Sequence, residues 1–154
     1  MDIRNWIVAH PEILPALIPV YFLAMWFLVS TLTSSLGGWS ALAARFRTEM
    51  PFPASTWRGQ SGSMRWRCNY GNCLTVGADP EGLFLRTIFL LRFRHPPLLI
   101  PWDEISVTRK RLWIFGEFVT LTLGREERIP LMIRDKLARR IQEAAGARWP
   151  VQSL

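Results

Sequence analysis

Residues 13–36 read ILPALIPVYFLAMWFLVSTLTSSL, and the chain carries no charged residue from position 13 to position 44. An α-helix rises about 1.5 Å per residue, so this stretch would extend about 36 Å, more than the hydrocarbon core of a bilayer, which is about 30 Å thick. The stretch therefore predicts a single transmembrane helix over 13–36, preceded by a short tail over 1–12.

The main alternative to a retained helix is a cleaved secretory signal peptide. Ala41-Leu42-Ala43 has the small-x-small form of a cleavage site. However, the apolar region of a signal peptide spans about 7–15 residues and follows a clearly basic segment. Here the apolar region is longer and the segment before it is barely basic, so the sequence favours a retained anchor.

The charges lie almost entirely on one side of this helix. The net charge is +7, and every Lys and Arg except Arg4 lies at or beyond Arg45. Because positive residues near a span favour the cytoplasmic side, we expect a single-pass protein of the plasma (inner) membrane with its C-terminal domain in the cytoplasm. A basic domain held there predicts anionic lipid as a partner, since each nearby cation is attracted by about 1 kcal/mol. The basic residues are scattered without a recognition motif, so nucleic acid is not expected.

The segment 37–62 predicts an interfacial helix followed by a linker. After two glycines, the residues from Trp39 to Arg47 suit a short helix. Trp39 would rest at the membrane boundary, and Arg45 and Arg47 would reach lipid phosphates. From 49 to 63 the sequence EMPFPASTWRGQSGS is rich in Pro, Ser and Gly and has no periodicity, which is typical of a linker that wraps a domain.

Residues 63–146 predict one small α+β domain, followed by a tail over 147–154. Short runs of alternating residues separated by turn residues predict about seven antiparallel strands in a small sandwich or partly open barrel. From Arg134 the period changes, and Leu137, Ile141 and Ala144 recur at helical spacing before Gly146. We therefore expect a C-terminal amphipathic helix that caps the sheet.

Residues 83–95, LFLRTIFLLRFRH, have two interpretations. Leucines and phenylalanines alternate with arginines, and this period of two favours a strand with a buried face and solvated arginines. Alternatively, Phe89 to Leu91 form a protruding tip that dips into lipid while Arg92 and Arg94 hold phosphates. RKR at 109–111 is likewise either a solvated strand end or a contact site. The candidate lipid or partner contacts are Trp39, Arg45, Arg47, Arg86, Arg92, Arg94, Arg109, Lys110 and Arg111.

Cys68 and Cys73 bracket the turn-forming residues NYGN. If these residues form a hairpin turn, the flanking cysteines can face each other, and a disulfide is then one outcome. In a cytoplasmic domain the favoured outcome is a pair of reduced, buried thiols. A metal site is the weakest of the three, because the pair lacks further cysteine or histidine ligands nearby.

The sequence offers few residues for catalysis. His95 is the single histidine beyond the apolar stretch, and the adjacent Asp103 and Glu104 would point to opposite faces of a strand. Neither a nucleophile elbow nor a glycine-rich phosphate loop occurs. We therefore expect a protein without enzymatic activity, cofactor, metal or small-molecule substrate. The enzymatic alternative would need a pocket that joins His95 to a carboxylate.

Two motifs resemble those of bacterial pleckstrin-homology-like and GRAM-like domains. They are the turn-Gly-Leu-x-Leu step at Glu81–Leu85 and the stretch PPLLIPWDEI at 96–105, and with the strand order and terminal helix the resemblance covers about 60–146. It implies a packing signature, hence a fold, and a family of lipid-binding and protein-binding modules. Arg65 and Arg67 match in part the first-hairpin cluster with which lipid-binding members hold phosphates.

These observations predict a single-pass, membrane-anchored, non-enzymatic binding module that contacts anionic lipid, a membrane protein partner, or both. The alternative is an accessory or immunity-type subunit whose span packs into a larger membrane complex. In that case small and hydroxyl residues would allow close helix approach in lipid. That packing face would be marked by the prolines of the apolar stretch together with Ser30, Thr31, Thr33, Ser34 and Ser35.

Overall fold

The computed structural model describes His10, residues 13–112 and residues 116–150. Helix α1 spans Ile13–Gly37. Within Pro15–Gly37 the most apolar 18 residues have a mean hydropathy of 1.8, and 6% of them are buried within the protein. By length and composition it can cross a membrane, and its exposure differs from that of a core helix in a soluble protein. The predicted span over 13–36 is thus confirmed as a helix.

Helix α2 spans Trp39–Phe46 and follows α1 after a single residue. That residue, Gly38, has φ +86°, and a Cβ placed on it would lie 2.6 Å from Ile129 Cδ1. Glycine is therefore required both by the left-handed backbone and by the close approach of Ile129. The chain turns sharply there, and α2 packs into the core of the domain.

Seven antiparallel strands form one nearly closed, barrel-like sheet in the order β4-β3-β2-β1-β7-β6-β5. The 3₁₀ turn Trp102–Glu104 joins the two outermost strands of this order. Helix α3, Asp135–Ala145, follows the last strand. The strands are β1 Thr56–Ser63, β2 Asn69–Ala78, β3 Gly82–Thr87, β4 Leu98–Pro101, β5 Ile105–Leu112, β6 Gly116–Leu123 and β7 Ile129–Arg134. The predicted α+β class, with about seven strands and a terminal helix, is confirmed.

The core lies between the inner face of the sheet and the two short helices. Alternate residues of β2, β3, β6 and β7 point inward, as expected for strands with one buried face. Helix α3 contributes Leu137, Ala138 and Ile141, and helix α2 contributes Trp39, Leu42 and Phe46. Because α2 belongs to this core, the domain begins before the sheet and directly after α1.

The first strand lies where the sequence predicted a linker. Strand β1 pairs with both β2 and β7 although its sequence, TWRGQSGS, has no clear periodicity. A Cβ placed on Gly62 would lie 3.0 Å from Leu131 Cδ1 and 3.0 Å from Leu74 Cδ1. Gly62, one of the residues that suggested a linker, therefore makes room for neighbouring core side chains. Pairing on both edges of β1 overrides its weak local preference for a strand.

The predicted hairpin turn at Asn69–Asn72 is wrong, because these residues belong to β2. The turn that joins β1 to β2 is Met64–Cys68, where the Met64 N–H donates to the Cys68 carbonyl over 2.9 Å. Trp66 and Arg67 adopt φ +58° and +57° at its tip. Left-handed geometry at two successive non-glycine residues is uncommon, which explains why the turn lacked a recognisable signature.

The predicted buried strand through Phe93 is also wrong. Leu83 and Leu85 are buried as expected, but β3 ends at Thr87 and the chain then leaves the sheet. Its partner β4 begins at Leu98, immediately after Pro96-Pro97. Proline has no N–H to donate to a ladder, so β4 does not extend backwards, and residues 88–94 have no strand beside them in the described sheet.

Candidate functional site

Residues 88–94 form a loop that lies against helix α1. The Phe93 and Phe27 rings pack with centroids 5.5 Å apart. The Ser34 hydroxyl donates a hydrogen bond of 2.7 Å to the Arg94 carbonyl oxygen. Ser30 and Ser34 are buried while most of the helix is exposed. The C-terminal third of α1 therefore packs on this loop.

The loop presents large apolar side chains to the outside. The exposed fractions are 81% for Phe89, 62% for Leu90 and 68% for Phe93, and Ile88 is 40% exposed. We call these four residues the apolar tip. The Arg92 guanidinium lies 6.0 Å from the centroid of the Phe89 ring, so a cation borders the tip. Single exposed apolar residues are ordinary, but four together usually mark an interaction surface.

A buried aromatic cluster holds the base of the loop. His95 is fully buried, with Nδ1 3.0 Å from the Leu91 carbonyl oxygen and Nε2 3.1 Å from the Tyr70 hydroxyl. The Trp39 ring packs edge-on against His95 with centroids 5.2 Å apart, and its indole N–H donates to the Pro96 carbonyl oxygen over 3.0 Å. The cluster thus binds the loop backbone at two carbonyl groups.

The protonation state of this cluster follows from its partners. A carbonyl oxygen only accepts, so His95 Nδ1 carries the proton that it donates to Leu91. Burial lowers the pKa of His95, and the positive charge of Arg94 lowers this pKa further. The hydrogen bond to Leu91 acts in the opposite direction but does not outweigh burial. The imidazole is therefore neutral at pH 7, and its Nε2 accepts from Tyr70. Burial raises the pKa of the Tyr70 hydroxyl, which keeps that donor protonated.

Trp39 and Arg45 do not have the positions that the sequence predicted. Trp39 is fully buried, so it does not rest at a membrane boundary. Its ring is covered by the barrel, and its N–H has a partner inside the protein. Arg45 lies within 3.3–3.7 Å of three carboxylates, those of Glu104, Glu126 and Glu127. Its charge is balanced within the domain, whereas Arg47 remains exposed.

Arg86 lies in a cluster of positive charge. Its guanidinium stacks 4.6 Å from the centroid of the Phe52 ring. Burial, followed by the charges of Arg92 and Arg58, lowers the pKa of Arg86. We call Arg58, Arg86 and Arg92 the arginine cluster. Across His10, 13–112 and 116–150, no ion pair joins these three residues to a carboxylate.

Strand pairing explains why Arg58 was missed. Trp57 of β1 pairs with Val76 of β2, and the adjacent Thr75 pairs with Arg86 of β3. Arg58 follows Trp57, so three neighbouring strands bring it towards Arg86 although the two are 28 positions apart in the sequence. The residue also lies in the segment that was predicted to be a linker. No local signal identified it.

The Arg109 site lies elsewhere. Arg109 is 3.4 Å from Asp135 and 3.0 Å from Gln142, both on α3, so it ties β5 to the terminal helix. Lys110 and Arg111 belong to β5, opposite Phe118 and Glu117. Their side chains lie outside the described part of the structure, and their predicted role as contacts stays a prediction.

The turn Met64–Cys68 meets α1 next to the loop. A Cβ placed on Gly37, the last residue of α1, would lie 3.3 Å from Cys68 Cβ and 3.2 Å from the Tyr70 hydroxyl. Trp66, between Arg65 and Arg67 at the tip of this turn, is 74% exposed. The sequence identified the two arginines as a partial match to a lipid site, but it did not single out the tryptophan.

Cys68 and Cys73 are free, half-buried thiols. Cys68 ends the Met64–Cys68 turn and Cys73 lies within β2, so they do not flank a hairpin turn, and the reason for expecting them to face each other does not hold. Within the described residues, no group of three His, Cys, Asp or Glu side chains is placed to hold a metal ion. One groove has both signs of charge in its lining, with Asp103, Glu104, Arg125 and Arg128, and does not include His95.

These contacts place the apolar tip, Arg92 and the exposed Trp66 around the point where α1 enters the domain. The arrangement can present apolar and cationic side chains together to a surface that carries both apolar and anionic groups. The sequence was compared with protein-family models and with curated proteins, and neither comparison gave a match.

Proposed function

We propose that this protein is a single-pass, membrane-anchored, non-enzymatic binding module whose pleckstrin-homology-like domain rests on anionic lipid. The observation that carries the proposal is the junction between helix and domain. An apolar helix of membrane-spanning length enters the domain through one glycine and packs on the loop 88–94 and on the turn Met64–Cys68. A domain joined in this way stays close to the headgroups.

The position of α2 supports an uncleaved anchor. Cleavage after Ala43 would remove Trp39 and Leu42, both fully buried, from the core of the domain. A large-to-small change at one such site costs about 2–5 kcal/mol, and the net stability of a domain is about 5–15 kcal/mol. Losing both side chains would leave little stability, so α1 acts as an anchor that remains attached.

The arginine cluster supports anionic lipid as the partner. Arg45, Arg109 and Arg139 have carboxylate partners, whereas Arg86 and Arg92 have none within the described residues. Charges without a partner attract anionic headgroups within about one Debye length, roughly 8–10 Å at physiological ionic strength. Lipid phosphates provide the missing counter-charge at the surface that α1 enters.

Lipid selectivity around the full-length protein tests the proposal. The protein is reconstituted in phosphatidylcholine, and the motionally restricted fraction of spin-labelled phosphatidylglycerol is compared with that of spin-labelled phosphatidylcholine. We expect the anionic probe to be enriched, and the enrichment to fall as salt shortens the Debye length to about 3 Å at 1 M. Equal fractions of the two probes at low salt would contradict the proposal.

Two variants that each remove one positive charge sharpen this test. Arg92→Gln removes a charge without a carboxylate partner and should lower the enrichment of the anionic probe. Arg45→Gln removes the same charge from a site already balanced by Glu126 and Glu127, and should change the enrichment much less. Equal losses in the two variants would point to net charge alone and not to the arginine cluster.

Orientation is tested separately by a reporter fused to the C-terminus. The excess of arginines after α1 favours a cytoplasmic domain, so we expect a reporter that folds in the cytoplasm to be active and one that needs the periplasm to be inactive. The reverse pattern would place the domain outside and remove the cytoplasmic leaflet as its surface.

The accessory-subunit alternative has less support. Ser30 and Ser34, two residues of its expected packing face, are already buried within this chain, and Ser34 donates to the Arg94 carbonyl oxygen of the loop. Thr31 and Thr33 donate to the Phe27 and Val29 carbonyl oxygens within α1. Native purification after crosslinking decides between the two, because a stoichiometric partner protein is expected under the accessory-subunit hypothesis and would overturn the lipid proposal as the main function.

A further inference from the structure

We infer that the apolar tip, Ile88, Phe89, Leu90 and Phe93, inserts into the hydrocarbon of the bilayer beside α1 and forms a second membrane contact of this protein. The inference rests on the proposed membrane anchoring by α1. It adds a ligand class, the lipid acyl chains, and a site at which the domain itself enters the membrane.

The length of α1 sets the depth of the loop. Glu12 precedes the helix, and a carboxylate is costly within hydrocarbon, so the apolar core begins near Ile13. At about 1.5 Å per residue, a core of about 30 Å takes up about 20 residues and ends near Leu32. Phe27 then lies about 7 Å inside the boundary. A tilted helix needs more residues to cross the same apolar core. Tilt would therefore leave Phe27 at least as far inside the membrane boundary.

Contacts with α1 carry the loop to that depth. Phe93 packs on Phe27 with ring centroids 5.5 Å apart, and the Arg94 carbonyl is bonded to Ser34. The loop therefore runs from Arg94 to Phe93 in the same direction as α1 runs back from Ser34 to Phe27. This direction leads into the membrane. A loop fixed to these two helix positions cannot remain entirely in water when α1 spans the bilayer.

The loop has the chemistry that this position requires. The four side chains of the apolar tip are 40–81% exposed, so each keeps a large part of its surface uncovered, although Phe93 also packs on Phe27. Arg92 and Arg94 border the tip, and arginine side chains near a membrane boundary extend their charged ends to the headgroups. Apolar groups at depth and cations at the rim match the layering of an anionic bilayer.

The base of the loop is held in place before any lipid is bound. Leu91 and Pro96 carbonyl oxygens accept hydrogen bonds from His95 and Trp39, and both donors are buried. Insertion therefore needs little ordering of the loop, which lowers the entropic cost of binding. Two attachments, α1 and the apolar tip, restrict how the domain tilts and rotates on the surface, and they bring Arg92 to the headgroup level.

Depth-dependent fluorescence quenching of the full-length protein tests the inference. In a Cys68→Ala, Cys73→Ala background, the variants Met25→Cys, Phe89→Cys and Glu81→Cys are each labelled with NBD. Met25, in the middle of α1, reports the anchor. Phe89 reports the apolar tip. Glu81 is exposed in the turn at the far end of β3 and is the control. The vesicles contain phosphatidylcholine and phosphatidylglycerol, with lipid that carries a quencher at a shallow acyl position.

We expect blue-shifted emission and a loss of intensity with quencher lipid at positions 25 and 89, and neither change at position 81. Quenching at 25 without quenching at 89 would overturn the insertion and leave the proposed anchor intact. No quenching at 25 would overturn the anchor and the inference together. Quenching at 81 equal to that at 89 would also overturn the inference, because contact would then not be confined to the tip.

A second label separates insertion from misfolding. Phe89 and Leu90 are mostly exposed, so a label on Phe89→Cys or Leu90→Cys should leave thermal unfolding in detergent unchanged. Leu90→Cys keeps the contact between Phe93 and Phe27, and a label there should be quenched as strongly as one at 89. A folded protein with the label at position 90 in water would contradict the depth derived from α1.

Discussion

Trp39 illustrates the limit of reading one residue from its sequence neighbours. An aromatic residue directly after an apolar helix is typical of the membrane–water interface, because its ring is apolar and its N–H needs a polar partner. Here the Pro96 carbonyl oxygen supplies that partner inside the barrel, and the ring is fully buried. The membrane interface and the barrel interior both suit a tryptophan at this position. Only the location of Pro96, which lies 57 positions further along the chain, distinguishes the two environments.

Replacing Trp39 should therefore act on stability. Trp39→Ala removes a buried ring and leaves the Pro96 carbonyl without its donor, and we expect unfolding to become easier by about 3–5 kcal/mol. Trp66→Ala is the matched control, since Trp66 is 74% exposed and should change stability by less than about 0.5 kcal/mol. Chemical unfolding in detergent measures both variants. Similar losses would contradict the described packing of Trp39.

His95 should make the stability of the domain depend on pH. Its pKa is lowered in the folded protein, first by burial, whereas in the unfolded chain it is about 6.5. Below that pH the unfolded chain binds a proton that the folded protein does not, so stability is complete above about pH 6.5 and falls as pH decreases, by up to about 1.4 kcal/mol per pH unit. Unfolding measured at several pH values between 7.5 and 5 should show this fall.

The variant His95→Gln isolates the contribution of the imidazole. The groups packed around it are the Tyr70 hydroxyl, the Leu91 carbonyl, the Trp39 ring and the charge of Arg94. Glutamine does not titrate, so the variant should be less stable at every pH but should lose the part of the pH dependence that begins near 6.5. An unchanged pH dependence would show that other groups cause it.

At the scale of elements, the sequence correctly predicted the strands and helices whose apolar–polar pattern matches their burial in the fold. Strands β6 and β7 alternate on both sides of a polar turn, and α3 has a clear apolar face, so local and tertiary preferences coincide. In β1, Gly62 accommodates Leu74 and Leu131, and the strand has no clear alternation. In the loop, the alternation of β3 continues through Phe93 although Pro96-Pro97 prevent β4 from pairing there. Both errors come from contacts that are distant in sequence.

The junction between α1 and α2 gives a prediction at this scale. Gly38→Ala places a Cβ 2.6 Å from Ile129 Cδ1 at φ +86°. We expect a loss of about 1–2 kcal/mol from the left-handed backbone and about 1–3 kcal/mol more from overpacking. Gly116 has φ +88° with no atom within 4 Å of such a Cβ, so Gly116→Ala should show the first loss alone. Equal thermal unfolding of the two variants would contradict the contact with Ile129.

At the scale of the whole molecule, half of the candidate site was visible in the sequence. Arg86 and Arg92 lie in one continuous stretch with the apolar tip, so their composition suggested a contact surface. Arg58 and Trp66 belong to other strands and turns, and they join the site through the pairing of β1, β2 and β3 and the packing of α1. Neither pairing nor packing has a signature in a single sequence, because each depends on residues far apart in the chain.

The unit that folds should begin at Gly38, at the end of α1, and not at the sheet. A fragment from residue 38 to 154 keeps Trp39, Leu42 and Phe46, whereas one from 50 to 154 lacks these three buried side chains. Since each costs about 2–5 kcal/mol against a net stability of about 5–15 kcal/mol, we expect the longer fragment to unfold cooperatively and the shorter one to be unfolded. Trp39→Ala in the longer fragment should be intermediate. Dispersed amide signals and a sharp thermal transition for the shorter fragment would contradict the role of α2 as part of the core.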